Sequence, residues 1–341
     1  MSSEAQKIHG SKVRSRRPVL GLLGAAAPFA IIGSLIYAAF FVKAEVQIGA
    51  IHAPAIERRD VFYGLVMPKP GVIWAAGSYG KVVRSNDGGQ SWAIQPTRLS
   101  AHLQSIAAWN EQRAVAVGNQ GRAIVTEDGG ATWSEVEVPR SEVANKLVKV
   151  RAYADGLAWA VGEMGAALRS TDHGRTWARA LPEQDQGWND VVFVGADGWL
   201  VGEFGRVMRS RDGGASWAPV ESPSKASLMS VAFRDASNGV AVGLSGTVLT
   251  TADGGASWAL VPPPTREHLN HVRWDGAAWS AVGDKGVRVS GKDGAWSAGR
   301  LADADLSWRT QGEAADGQQL LLAGANLARL DKDGLHVFGR H

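Results

Sequence analysis

Six aspartates recur in one octapeptide setting, and they are the first candidates for chemistry in this sequence. Asp87 lies in Ser85-Asn86-Asp87-Gly88-Gly89-Gln90-Ser91-Trp92. The pattern returns around Asp128, Asp172, Asp212 and Asp253, closing on Trp133, Trp177, Trp217 and Trp258. A sixth copy around Asp293, closing on Trp296, is one residue short. Successive aspartates are 41, 44, 40, 41 and 40 residues apart. A calcium loop needs several carboxylates within one short stretch, whereas each copy offers one. A repeated structural turn fits better. The Asp accepts amide hydrogen bonds, Gly supplies positive φ, and Trp packs against a neighbouring unit. No metal or cofactor is expected.

Other catalytic arrangements are weakly represented. The chain has no Cys, so thiolate nucleophiles, thiolate metal sites and disulfides are excluded. There is no Gly-x-Ser-x-Gly elbow, P-loop or His-Glu-x-x-His. His268 and His271 are the one close histidine pair. On a strand their spacing sends them to opposite faces, which argues against a shared metal. No catalytic residue is assigned, and a non-enzymatic protein is expected.

The elements that carry the octapeptides repeat with them. Upstream of each lies a short apolar run, a Gly, two variable residues and a second Gly. The pairs are Gly77/Gly80, Gly118/Gly121, Gly162/Gly165, Gly202/Gly205, Gly243/Gly246 and Gly283/Gly286. Leu320–Leu330 with Asp333-Gly334 continues the series in degenerate form. The third unit divides into strands at 147–153, 158–162, 166–170 and 176–181, bounded by Gly turns. Four strands per unit of about 41 residues is propeller spacing. The sequence therefore predicts an all-β, seven-bladed β-propeller over residues 58–341. Residues 43–57 are a linker, or a closing strand at 46–51.

The octapeptide resembles the Asp-box, or bacterial neuraminidase repeat, which in that family forms the turn between the third and fourth strands of a blade. Sialidase activity would require an arginine triad, a Tyr nucleophile with a Glu partner, and an Asp acid. This chain has four Tyr, one of them Tyr37 in an apolar segment, and lacks the Phe-Arg-x-Pro motif, since Phe233-Arg234 is followed by Asp235-Ala236. The whole repeat, with Arg-Ser steps at Arg84-Ser85, Arg169-Ser170 and Arg209-Ser210, is similar to the photosystem II assembly/stability factor family and its non-photosynthetic bacterial relatives. That resemblance implies a non-catalytic chaperone of a membrane complex. In the bacterial relatives it implies a companion of inner-membrane transporters of the resistance-nodulation-division type. A photosystem II factor and a glycan-binding or sialidase-like propeller are the alternatives.

Two surfaces are candidates for binding. The first is the face of the Gly-x-x-Gly loops, with Tyr79, Asn119, Gln120, Glu163, Met164, Glu203, Phe204, Asp284 and Lys285. Large apolar groups at loop tips mark contact surfaces; the bland alternative is packing over the blade tops. The second is the central channel. Aligning inner strands on Leu103, Leu147, Trp188, Leu228, Leu269 and Leu306 puts Ser105, Lys149, Asp190, Ser230, His271 and Trp308 in one column. Ala107, Arg151, Val192, Ala232, Arg273 and Thr310 follow on the same strand face. Lys149, Arg151, His271 and Arg273 would make this wall cationic, with Asp190 opposing. A glycosidase would need Glu163, Glu203 and Asp190 to converge with Arg151.

The chain of 341 residues has a net charge of +3, from 36 Lys+Arg and 33 Asp+Glu. Residues 1–18 alone carry +4, through Lys7, Lys12, Arg14, Arg16 and Arg17 against Glu4, and leave the remainder at −1. A basic nucleic-acid footprint on the folded part is not supported. Val19–Val42 contains 24 residues without a charge, about 36 Å as a helix against roughly 30 Å of hydrocarbon. The basic flank predicts a cytoplasmic tail (1–18), a transmembrane anchor in the bilayer (19–42), and a periplasmic propeller. A cleaved signal containing Arg16-Arg17 is the alternative.

Overall fold

A computed structural model describes residues 19–41, 54–315 and 319–339, with helix side chains described from residue 28 onward. The chain divides into two compact units, residues 1–52 and 53–341. In the first, Val19–Phe41 is an α-helix containing Pro28. Among the described residues, no helix is long and apolar enough to cross a membrane. At 1.5 Å per residue the helix extends about 34 Å. The closing strand expected at 46–51 lies outside the described residues.

The second unit is a propeller-like array of antiparallel sheets. Among the described residues, five sheets have four strands each. A sixth has eight, because the strands at Phe62–Lys69, Val72–Gly77, Val82–Ser85 and Ala93–Gln95 join those at Arg309–Ala314, Leu320–Gly324, Ala328–Asp331 and Gly334–Val337. Among the described residues, the only ladder contact between these two sets of four is Phe62 opposite Gly324. In the third unit the strands are Leu147–Ala152, Ala158–Gly162, Ala167–Ser170 and Ala178–Arg179. The outermost is shorter than the sequence suggests, because Thr176 is held in the preceding turn.

The second strands are the structural centre of each sheet. Val72–Gly77, Ala114–Gly118 and Ala158–Gly162 are buried along their whole length. Being covered on both sides, they read as continuous apolar runs. Tryptophans fill the seams between sheets. Trp133 packs edge-on against Trp74 of the preceding unit at 5.6 Å, and Trp217 against Trp159 at 5.8 Å. Phe233 stacks on Trp199 at 3.6 Å and meets Trp258 edge-on at 5.9 Å.

Five octapeptides form one turn. In the first, the Ser85 hydroxyl donates to Asp87 Oδ1 (2.7 Å) and accepts the Gly89 amide (2.8 Å). Asp87 then accepts the Ser91 amide and hydroxyl, at 2.9 and 2.5 Å. The same four bonds recur around Asp128, Asp172, Asp212 and Asp253. The Ser91 bonds, followed by that from Ser85, bring the Asp87 pKa down to about 2. Asp128 and Asp212 are lowered to about 2 by the equivalent residues.

The sixth copy departs from this geometry. Lys292 pairs directly with Ala295, and Asp293 and Gly294 have φ of 51° and 82°. This is a two-residue hairpin turn with both central residues left-handed, the geometry that favours Asp-Gly. Lacking one residue, the segment cannot close the Asp-box, and Trp296 lies over Gly291 of its own sheet.

Candidate functional site: the channel and the Gly-x-x-Gly face

The inner strands start at Phe62, Leu103, Leu147, Trp188, Leu228, Leu269 and Arg309, each opposite the first Gly of its unit. The last register corrects the sequence alignment. Arg309, not Leu306, opens the final strand, so Gln311 and Glu313 take the channel positions assigned to Trp308 and Thr310. Arg309 is fully buried where other units carry an apolar residue. It donates to Asn326 Oδ1 (2.8 Å) and to Asp305 (2.6 Å), so the strand opens on an ion pair that hydropathy does not reveal.

The polar column links neighbouring strands. Ser105 Oγ accepts the Val150 amide (3.2 Å), Asp190 that of Val231 (3.1 Å), and Ser230 that of Val272 (3.3 Å). His271 Nδ1 accepts from Gly312 (3.3 Å) and Gln311 from Leu65 (3.4 Å). Each side chain satisfies an amide on the inner edge of the next strand, which would otherwise lack a partner. Two positions break the series. At Gly64 a Cβ would lie 2.8 Å from Ser105 Cα, so the backbones themselves meet there. At Lys149 the side chain has no acceptor, and its ammonium reaches across to Gln311 Oε1 at 3.4 Å.

The channel charges are largely paired. Arg151 donates twice to Asp190, at 2.9 and 2.7 Å. Burial opposes the Asp190 charge, but Arg151 and then Lys149 hold its pKa below the usual value. Burial lowers the Lys149 pKa, with Asp190 and Glu313 opposing that shift. Burial, then Lys149 and Arg151, push His271 well below the usual histidine value. Its Nε2 stands 3.8 Å from Glu313. Arg273 follows two residues later on the same strand. A cavity of about 200 Å³ lies between Lys149, Arg151, Tyr153, Gln311 and Glu313.

The loop carboxylates bond groups at the start of the inner strands. Glu163 accepts the Lys146 amide at 2.7 Å and Glu203 the Gly187 amide at 2.8 Å, each just before an inner strand. Asn119 accepts from Gln104 and Asp284 from Asn270, both at 3.0 Å. Among the described residues, neither Glu163 nor Glu203 bonds Arg151 or Asp190. Both glutamates are held instead on backbone amides at the loop end of the inner strands. His268 and His271 serve different amides, those of Ser245 and Gly312. No cluster of three metal-ligating carboxylates or histidines occurs among the described residues.

The second variable residue of each loop is strained. Tyr79 has φ 54° and ψ 38°, and Gly80 follows at φ 68°. The Lys81 amide closes the turn on Ser78 O at 3.0 Å. Gln120, Met164, Phe204, Ser245 and Lys285 occupy the same left-handed position, with φ of 52° to 61°. A turn with two left-handed residues favours Asn-Gly. Tyr79 and Phe204 instead place aromatic rings there, 76 % and 62 % exposed. Met164 is half-buried, and Lys285 is paired with Glu267 at 3.1 Å. Sequence reasoning missed a run of rings beside Tyr79. His102 lies 4.8 Å from Tyr79 and 6.2 Å from Tyr63, and Tyr63 stacks on Trp308 at 5.9 Å. Its only sequence signal is position, since each ring sits within one residue of an inner-strand start or at a loop tip.

The comparisons with known proteins agree with this repeat. The family model for photosynthesis system II assembly factor YCF48 matches residues 98–184. The chain resembles the YCF48 family of Asp-box propellers. A structure described as YCF48 bound to D1 peptide is 17 % identical, with a TM-score of 0.65, covering 78 % of this chain and 91 % of its own. YCF48 from Cyanidioschyzon merolae is 16 % identical, with a TM-score of 0.64 and coverages of 81 % and 94 %. The GH74 xyloglucanase from Xanthomonas campestris is 15 % identical, with a TM-score of 0.69; the match covers 83 % of this chain and 55 % of the enzyme. At these identities the likeness is one of fold. No curated protein sequence matches.

Proposed function

We propose that this chain is a non-catalytic, seven-bladed propeller that binds protein through its Gly-x-x-Gly face as an accessory or assembly factor of a membrane complex. The observation that carries the reading is the retention of Tyr79 and Phe204 in left-handed backbone at exposed turn tips. Such strain persists where the surroundings enforce it and clusters at functional positions. The YCF48 structure with a D1 peptide supports a polypeptide ligand. The blade count rests on five four-stranded sheets and an eight-stranded one that divides in two at Phe62 and Gly324.

In this proposal the uncharged helix Val19–Phe41 holds the chain in the bacterial inner membrane, with residues 1–18 cytoplasmic and the propeller periplasmic. The candidate partner is an inner-membrane complex. A resistance-nodulation-division transporter follows from the resemblance to bacterial relatives, and a photosystem II subunit from the resemblance to the photosynthetic ones. The test is affinity purification of the full chain from detergent-solubilised membranes, beside a Tyr79→Ala/Met164→Ala/Phe204→Ala variant. A membrane protein retained by the wild type and lost by the variant supports the proposal. Equal recovery with both overturns it.

A further inference from the structure

The seam between the fifth and sixth units differs from its siblings. Where a unit carries a complete Asp-box, its turn seals the seam to the unit before it. Arg175 of the third box pairs with Glu127 of the second at 2.7 Å, and a cavity of about 350 Å³ remains there. Gly214 and Ala215 of the fourth box close the next seam over a cavity of about 370 Å³. The sixth unit has a two-residue hairpin in place of a box. Beside it the cavity is about 730 Å³.

The lining of this cleft is aromatic with polar edges. It contains Trp258 of the fifth unit and Trp274, Trp279 and Trp296 of the sixth. Trp274 and Trp279 meet edge-on at 5.1 Å, and Arg234 lies over Trp274 at 5.3 Å. Asp253 and Asp293 stand at the rim. In the first-to-second and third-to-fourth seams, a box indole packs against the preceding sheet: Trp133 on Trp74 and Trp217 on Trp159. In the fifth-to-sixth seam the preceding sheet presents only Val240 at the matching position, and Trp296 is drawn back over Gly291.

We infer that this cleft is a second protein-docking site, on the face opposite the Gly-x-x-Gly loops, which takes a tryptophan presented by a tight turn of a partner polypeptide. The repeats themselves specify the occupant, since their seams take an indole on a Gly-rich turn at this place. Indole rings offered edge-on and stacked suit another aromatic ring. The Arg234 guanidinium, lying over Trp274 in the cleft lining, is a donor for the carbonyls of the turn that carries it.

The test uses the full chain in detergent, labelled with 5-fluorotryptophan and observed by fluorine NMR. The probe is a peptide with the sequence of residues 210–217, Ser-Arg-Asp-Gly-Gly-Ala-Ser-Trp, and a control peptide ending in Ala. The expected result is a saturable shift of the resonances assigned to Trp274, Trp279 and Trp296, absent with the control. Replacing residues 290–296 by the same octapeptide should rebuild the box, close the cleft and abolish the shift. Trp296→Ala, a change at a half-buried hairpin position, should weaken binding at least several-fold. Shifts produced by a β-glucan or chitin oligosaccharide but not by the peptide would overturn the proposal in favour of a glycan site. No shift with either ligand would overturn it outright.

Discussion

Replacing Tyr79 or Phe204 by Asn should separate binding from stability. Each ring occupies a left-handed backbone position, which costs a bulky L-residue about 1–2 kcal/mol. Asn adopts this conformation readily and is favoured at the first position of such turns. Tyr79 is 76 % exposed, so about a quarter of an aromatic surface of roughly 200 Å² is covered. At about 25 cal/mol per Å², that burial is worth roughly 1–1.5 kcal/mol. Phe204, at 62 % exposed, loses roughly 2 kcal/mol by the same arithmetic, itself an upper bound. Strain relief and lost burial nearly cancel. Tyr79→Asn should leave stability within about 1 kcal/mol, and Phe204→Asn within about 1 kcal/mol of wild type or slightly below. For a unit of this size that is a shift in Tm of about 2–4 °C at most. Thermal unfolding followed by tryptophan fluorescence reads the shift, and recovery of the membrane partner reads binding. A loss of about 3 kcal/mol or more in either variant would show that the rings are blade packing and refute the argument from strain.

Three further outcomes follow from the channel and the boxes. Asp190→Ala leaves the Arg151 guanidinium and the Val231 amide without their acceptor, and should cost about 3–5 kcal/mol in chemical denaturation; a loss under 1 kcal/mol would contradict the pairing. His271 has a folded pKa well below its unfolded value, so its contribution is complete above about pH 6.5 and is lost as pH falls below that value. His271→Gln, which keeps an acceptor for the Gly312 amide as Gln311 does for Leu65, should flatten the fall in Tm between pH 7 and 5. The box aspartates have lowered pKa values, about 2 for Asp87 and Asp212. Their contribution is present above the unfolded pKa of about 4 and is lost as pH falls through about 2. Asp212→Asn should therefore reduce the steepness of acid unfolding between pH 4 and 2.

The repeat was legible because its signals are local and recur at a nearly fixed interval. Ser85, Asp87 and Ser91 build a turn from bonds within seven residues, so reading the motif amounts to reading the turn. The sixth copy shows the limit of that reading. Losing one residue changes the closure from a box to a two-residue hairpin, although Asp293, Gly294 and Trp296 remain in place. The channel register failed in the last unit for a different reason. Its inner strand opens on Arg309, whose charge is satisfied by Asp305 and Asn326, so the apolar Leu306 was the more attractive anchor. Counting from the glycine would have succeeded, because Arg309 precedes Gly324 by the same interval that separates Leu103 from Gly118. The bonding of Ser105, Asp190, Ser230, His271 and Gln311 to the following strand was not legible. It joins residues 41 to 45 positions apart, and 246 apart for Gln311 and Leu65, through side chains of four chemical types, and only the ring geometry gives them one role.

The central claim, that the Gly-x-x-Gly face binds protein, is tested most directly by site-specific photo-crosslinking in intact cells. A photoreactive phenylalanine analogue at position 79 or 204 is compared with one at Ser91, an exposed position in the first Asp-box turn. The account predicts a discrete crosslinked membrane protein from positions 79 and 204 and none from position 91. Crosslinks from position 91 alone, or no adduct from either loop position, would contradict it.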